Sequence, residues 1–295
     1  MVRYITLFSL FISAGLSFGQ PSNNYNYVKE EAIQVKNVVT PSQATSLTIG
    51  DKVETTTYVD GLGRTTQIVT SQGSPAKMDV VQPQTYDAFG REAIHYLPYI
   101  STEQNGWFKA NALGTTDYSI SPQFLFYSNP STDKTPLDLK PYAETRFETS
   151  PLIRPIVVGS IGATWQPDGT DNYTSTDHTT KKLYTLNDAN EVLLWKYDAV
   201  NGVSVTDINT PGMLIYYPEG QLNKVKTKDE QGNEVIEYTD NTGRLILKRV
   251  QVVDNTTVVN DINYASTYYI YDDFGNLVTV IPPEGVRAVK NTIAN

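Results

Sequence analysis

One signature recurs along the chain and constrains its fold more than any other feature: an aromatic residue or threonine, then Asp, two variable residues, Gly, and Arg or Asn. It reads Tyr58-Val59-Asp60-Gly61-Leu62-Gly63-Arg64, Tyr86-Asp87-Ala88-Phe89-Gly90-Arg91, Thr227-Lys228-Asp229-Glu230-Gln231-Gly232-Asn233, Tyr238-Thr239-Asp240-Asn241-Thr242-Gly243-Arg244 and Tyr271-Asp272-Asp273-Phe274-Gly275-Asn276. Asp at the head of such a turn can bond its own backbone two residues on. Gly three residues after it accepts the positive φ that closes a type I turn into a bulged hairpin. Each copy is therefore expected to join two antiparallel strands. Gly232 and Gly243 leave only Glu234 to Thr239 between two turns, with Arg244 to Val250 following, which is the spacing of an antiparallel meander. A sixth, degenerate copy, Tyr184 to Glu191, carries Asn190 where glycine would stand; asparagine tolerates positive φ, so a turn is expected to survive there.

This pattern implies an all-β fold class, mainly antiparallel: a hairpin meander or spiral sheet with an irregular insertion holding a little helix. Twenty tyrosines, 19 glycines and 16 prolines agree with it, because aromatics favour strands and Gly and Pro favour turns. Strand regions are placed at 50–100 and 152–285, with a tail at 286–295. Residues 101–151 between them alternate weakly and hold too few apolar side chains for a core of their own, so they are read as an insertion packed on the sheet. Within it, Trp107 to Leu113 is expected to form a short helix stopped by Gly114. Gln123 to Tyr127 is a compact apolar run, and Pro130, Pro136 and Pro141 make the remainder of the insertion irregular. The final returning strand, with Leu277, Val278 and Val280, is expected to present an unfinished sheet edge, since Pro282-Pro283 cannot donate to a ladder.

Residues 1–19 have the layout of a secretory signal peptide: Arg3, an apolar run from Tyr4 to Ile12, and small residues up to Gly19. Residues 20–49 are a polar lead-in and first strand, with order expected from near Val28. The apolar run is short of the about 20 residues a membrane span needs, and no other stretch comes closer, so the chain is read as exported and not membrane-spanning, bound for the periplasm, the cell surface or the medium. It has no cysteine, so in an oxidising compartment packing and ladder hydrogen bonds must hold it together.

Charge and residue inventory exclude several functions. Lys and Arg number 23 against 32 Asp and Glu, a net charge of −9, which disfavours any grip on a phosphate backbone and makes nucleic acid an unfit partner. Without cysteine there is no thiol nucleophile and no thiolate metal site, and only His95 and His178 offer imidazole chemistry. No nucleophile elbow, zinc-binding His pair, phosphate loop or dinucleotide fingerprint is present, and no cofactor is implied. His95 follows a turn into a strand without a partner motif and is read as structural. The polar run Asp168 to His178 is rich in oxygen ligands, which makes calcium conceivable, but its spacing departs from the helix-flanked calcium loop and a solvated loop is the reading adopted. The conspicuous aspartates already have a turn role, so no residue is assigned to catalysis, cofactor or metal.

These residues resemble the bacterial Rhs, or YD-repeat, family, whose unit is Tyr-Asp-x-x-Gly-Arg followed by a short apolar strand. Tyr268 to Leu277 running into Val280 to Glu284 looks especially like it, as do Ser150 to Arg154 with Trp165-Gln166-Pro167, and Tyr238 to Gln251. Together they are similar to the uncharacterised N-terminal region of exported Rhs proteins, over most of residues 50–285. The resemblance implies a spiral β-sheet that helps to wall off a shell around a C-terminal toxin. The family's self-cleaving segment is built around an Asp-Pro pair, which this sequence lacks, so it is read as the front end of such a protein, truncated or a short relative. Two functions remain: a non-catalytic structural module whose partners are downstream repeats and a toxin, or a cell-surface module binding glycan or protein through exposed tyrosines. Inward-facing tyrosines favour the first; a solvent-facing row of them favours the second.

Overall fold

A computed structural model describes residues 24–129, 137–171, 173–206, 213–254 and 258–294. The signal peptide expected at 1–19, and Pro130 and Pro136 of the insertion, lie outside the described residues. The chain divides into two compact units, Met1–Glu144 with Ser160–Gln166 and Thr145–Gly159 with Pro167–Asn295. Both are antiparallel β structures with few and short helices.

In the first unit β1 (Asn26–Ile33), β2 (Lys52–Val59), β3 (Thr65–Thr70), β4 (Val80–Pro83) and, after β5 (Ile94–Tyr96), β6 (Tyr99–Ile100) form a sheet in the order β1-β2-β3-β4-β6. The first strand thus begins at Asn26, two residues before Val28. β5 pairs with the first three residues of β7 (Tyr142–Phe147). Strand alternation sends Tyr58 and Val69 inward, where they meet Val81 and Tyr99. The insertion covers this face with Phe108, Ala112, Phe126 and Tyr127.

Its helix is not where the apolar pattern predicts. Trp107 to Leu113 is irregular, because the side chain of Gln67, 2 % exposed, claims the backbone on both sides of Lys109: Lys109 N donates to Oε1 at 2.7 Å and Nε2 donates to the Lys109 carbonyl at 3.1 Å. A backbone so occupied cannot close a helical ladder, and only the turn before Gly114 remains. The helix forms instead at Pro122–Ser128, with Ser121 Oγ accepting from the Phe124 N–H at 3.2 Å and proline at the first position. It follows a short helix at Pro41–Thr45, so these are α2 and α1.

The second unit contains β8 (Pro155–Gly159), β9 (Thr180–Leu186), a ribbon of β10 (Lys196–Asp198) and β11 (Gly202–Ser204), then β12 (Asn223–Lys228), β13 (Glu234–Thr239), β14 (Leu245–Gln251), β15 (Tyr264–Tyr271) and β16 (Leu277–Ile281). The sheet runs β16-β15-β14-β13-β12-β9-β8. β9 to β16 are not one continuous meander. Asn190 does take a positive φ, 58°, yet it does not turn the chain straight back into the sheet: the strand that returns antiparallel beside β9 is β12, from Asn223. The chain leaves the sheet at Asn187 and comes back at Leu222. Asn187 fastens both ends of the excursion, its Oδ1 accepting from Leu222 N at 2.7 Å and its N–H donating to the Leu222 carbonyl at 3.1 Å. Val192, Leu193 and Val205 from the excursion are buried with Tyr238, Leu247, Tyr264 and Tyr268 of the sheet.

The segment read as a tail is a helix, α3 (Pro283–Ala294). Pro282-Pro283 does stop the ladder, but proline also suits the first turn of a helix, and Val286 and Val289, three residues apart, turn to the core. β16 pairs along one side, with β15, and keeps Leu277, Val278 and Val280 exposed.

Candidate functional site

The five turns share one hydrogen-bond scheme, and it explains each position of the signature. Asp Oδ1 accepts two backbone N–H groups, those of the second and fourth residues after it. For Asp60 these are Leu62 and Arg64 at 2.9 Å each, and for Asp272 they are Phe274 and Asn276 at 3.0 and 2.8 Å. Oδ2 accepts the side chain of the last residue: Arg64 Nε at 2.7 Å, Arg91 Nε at 2.6 Å, Asn233 Nδ2 at 3.0 Å, Arg244 Nε at 2.7 Å and Asn276 Nδ2 at 3.0 Å. The Gly N–H donates to the Asp carbonyl, and Gly63, Gly90, Gly232, Gly243 and Gly275 take φ between +79° and +92°. The hydrogen bond from the Arg64 N–H holds the Asp60 carboxyl below its ordinary value, and that from Arg91 does the same for Asp87.

The arginines also reach sideways. The Arg64 guanidinium lies 4.5 Å from the centre of the Tyr86 ring, and Tyr86 Oη donates to the carbonyl of Thr65, the residue after Arg64, at 2.8 Å. Arg244 lies 5.4 Å from the Tyr271 ring, whose Oη donates to the Leu245 carbonyl at 3.2 Å. A third instance has no Asp: in the β7–β8 turn Glu148 grips Arg154 through Nε and Nη2 at 2.8 Å each. Arg154 lies 4.1 Å from the Tyr184 ring, and Tyr184 Oη donates to the Pro155 carbonyl at 3.2 Å. Tyr184 and Tyr271 sit on the next strand to reach that end of the sheet, and Tyr86 in the segment just after β4, so each arginine ties its turn to the chain that arrives beside it. The Asp87 turn is not the hairpin the signature predicts: it joins β4 to β5, which lie in different sheets and, among the described residues, meet only at the Gln84–His95 bridge.

Signature tyrosines therefore have two roles, set by parity. Tyr58 and Tyr238, two residues before Asp, are fully buried, with Oη of Tyr58 donating to the Gly106 carbonyl at 3.0 Å and that of Tyr238 to Glu191 Oε1 at 2.7 Å. Tyr86 and Tyr271, directly before Asp, are half-buried beneath an arginine. Moving one residue along a strand changes the face, and each role uses one face. The strand pattern alone suggests cross-strand packing for all of them; the recurrence of Arg with a later Tyr is the signal in the sequence for the clamp.

The family described as Domain of unknown function (DUF6443) matches residues 31–180, half of the chain. The chain belongs to this family. No curated protein matches it. The DUF6443 region contains the turns at Asp60 and Asp87, the Arg64–Tyr86 clamp and the Glu148–Arg154 turn, while the turns at Asp229, Asp240 and Asp272 lie beyond it.

The remaining polar candidates of the DUF6443 region fall apart as sites. His95 is a surface residue, its Nδ1 2.9 Å from Glu92 Oε1. His178 Nδ1 meets the Glu230 carbonyl at 3.0 Å. In the loop from Asp168 to His178 the carboxylates serve the loop itself: Asp168 accepts Ser175 Oγ at 2.5 Å and Thr170 Oγ1 at 2.8 Å, and Asp177 holds the Lys181 ammonium. The Ser175 hydroxyl, with Thr170, lowers the Asp168 pKa to about 2. An ammonium amid these oxygens opposes a second cation, and among the described residues no three His, Asp or Glu side chains converge as metal ligands.

Proposed function

We propose that the chain is an exported structural module, similar to the front end of an Rhs or YD-repeat shell, whose role is to build wall rather than to catalyse. What carries the reading is the clamp repeated at Arg64–Tyr86, Arg154–Tyr184 and Arg244–Tyr271, which ties a turn to the chain that arrives beside it. A tyrosine-built binding face would leave its tyrosines to solvent. Among the described tyrosines only Tyr25 and Tyr197 are exposed, at 41 % and 40 %, and Tyr25 stacks on Phe108 at 4.0 Å. The others serve packing, clamps and buried hydrogen bonds. The other exposed aromatics among the described residues are Phe89 and Phe274, each in a signature turn, and Trp107 and Trp165. The partners of such a wall are further YD-repeat strands and, behind them, a C-terminal toxin.

The test is to tag the protein in its own cell, isolate it after export and determine the mature N-terminus and the size of what it travels with. A chain beginning near Gln20, held in a protease-resistant particle with YD-repeat polypeptide, supports the proposal. A free chain that is retained on a column of surface polysaccharide and eluted by sugar would overturn it in favour of a glycan-binding module.

A further inference from the structure

Beneath the excursion of the second unit lies a cleft of about 230 Å³, bordered by Glu191, Tyr216, Arg249, Asn260, Asp261 and Lys290. At about 30 Å³ per water in the liquid, this is room for seven or eight waters, or one small organic molecule. Its lining is out of balance in hydrogen-bonding capacity. The carboxylates are already engaged: Glu191 Oε1 accepts Lys224 Nζ at 2.6 Å and Tyr238 Oη at 2.7 Å, and Oε2 accepts the Asp188 N–H at 2.8 Å. Asp261 Oδ1 accepts Ser266 Oγ at 2.8 Å, and Oδ2 accepts the Lys290 ammonium.

The donors are not all engaged. Arg249 is 5 % exposed, and its guanidinium gives one bond to Tyr238 Oη at 3.1 Å and one to the Glu191 carbonyl at 3.0 Å. Its Nε is buried with no partner among the described residues. The Glu191 carboxylate is 3.9 Å from Nη1, beyond hydrogen-bond length. Asn260 uses Oδ1 to accept the N–H groups of Ile262 and Asn263, at 2.9 and 2.8 Å, which leaves its amide NH₂ as a donor. A buried guanidinium without a hydrogen-bonded anion is a costly arrangement, and a carboxylate or phosphate is the group whose geometry relieves it.

We propose that this cleft binds a small oxyanion, a carboxylate-bearing molecule in the first instance, with Arg249 as its anchor and Asn260, Tyr216 and Lys290 as further donors. This goes beyond the wall-building role and does not depend on it, since nothing in the clamp chemistry uses these residues.

The test is isothermal titration of the whole protein at low salt with three probes: succinate, inorganic phosphate and glucuronate. Binding of any one at a single site, with Kd near or below about 1 mM, is the expected result, and the preferred probe tells a free carboxylic acid from a phosphate or an acidic sugar. Arg249→Lys, which keeps the charge but loses the fork, should weaken binding about tenfold or more. Because Arg249 is buried, Asn260→Asp provides a second variant: its carboxylate still accepts from Ile262 and Asn263, so the loop is retained, while the added charge should abolish binding of all three probes. No heat from any probe up to about 10 mM, or binding that Asn260→Asp leaves unchanged, overturns the proposal.

Discussion

Alanine at Gly90 and at Gly63 separates the cost of the turn from the cost of the clamp. Both glycines have φ of +79°, so either substitution carries the same backbone penalty, about 1–2 kcal/mol for an L-residue in the left-handed region. Their surroundings differ. A Cβ at Gly63 meets nothing within 4 Å, whereas one at Gly90 comes to 2.8 Å from Arg64 Nη1. The guanidinium is the flexible end of a side chain and will move aside, but it then leaves the Tyr86 ring 4.5 Å away. That contact is partly exposed, so its loss adds about 0.5–1 kcal/mol. Gly275→Ala is a further control, since its Cβ would lie 3.6 Å from Arg244 Nη1, an ordinary contact. The expected order of destabilisation by urea titration is Gly90→Ala first, with Gly63→Ala and Gly275→Ala about equal. In an Arg64→Ala background the excess at Gly90 should disappear. Equal losses for Gly90→Ala and Gly63→Ala in the native background, or an excess that persists without Arg64, would refute the clamp as the cause.

Acid should loosen the second unit through Glu148, which the Arg154 side chain, with Ser150, holds down at about 2 against an ordinary 4.5. A depressed carboxylate lends stability that is fully present above the unfolded value and is lost as pH falls toward the folded one. The melting temperature should therefore drop from 4.5 down to about 2, and Glu148→Gln should drop less steeply; equal slopes would count against the pairing. At the alkaline end, burial pushes Tyr268 up to about 12 from 10.0, so its stability contribution is present below 10.0 and lost as pH rises. Phenolate absorbance should consequently lag behind free tyrosine and then rise together with unfolding, and a titration that follows free tyrosine throughout would contradict the buried assignment. Lys109→Met should destabilise the first unit by about 3 kcal/mol, because Asp79, fully buried, loses the ammonium 2.9 Å away. Adding Asp79→Asn should restore part of it, and no recovery in calorimetry would show that Lys109 acts through packing alone.

The turns are legible in the sequence because everything they need lies within five residues: Asp accepts its own backbone and Gly supplies the φ. The elements that escape a sequence reading are governed by partners far along the chain. Trp107 to Leu113 has a helical pattern, but Gln67, forty-two residues before Lys109, takes the backbone groups the helix requires. The excursion after Asn187 is fixed by Leu222, thirty-five residues on, and no local pattern announces that pairing. α3 is readable in part, since Pro283 at the start and the Val286 and Val289 spacing are present; the same two prolines equally mark the end of a ladder, which hides the helix behind the strand. The cleft around Arg249 leaves no motif, because its residues come from the excursion, β14, the loop before β15, and α3.

Arg and Asn alternate at the last position of the signature, and the structure gives that choice a meaning. Both close their own turn, Asn233 and Asn276 through Nδ2 at 3.0 Å as Arg64 and Arg244 do through Nε at 2.7 Å. Within the turn the two residues are near equivalents. Asparagine ends there, whereas arginine has a planar group left over, and at Arg64 and Arg244 that group covers the tyrosine of the next turn at the same sheet end. Each clamp is worth little on its own, a partly exposed cation–π contact and one hydrogen bond. Its effect is on register: the tyrosine hydroxyl reaches the carbonyl after the arginine only when the strands are aligned as found, and a slip by one residue would carry the tyrosine to the core face. Arg64 and Arg244 therefore set where the next strand docks, whereas the Arg91 guanidinium lies 5.0 Å from the ring of Phe89 in its own turn, and Asn reaches no further than its own turn.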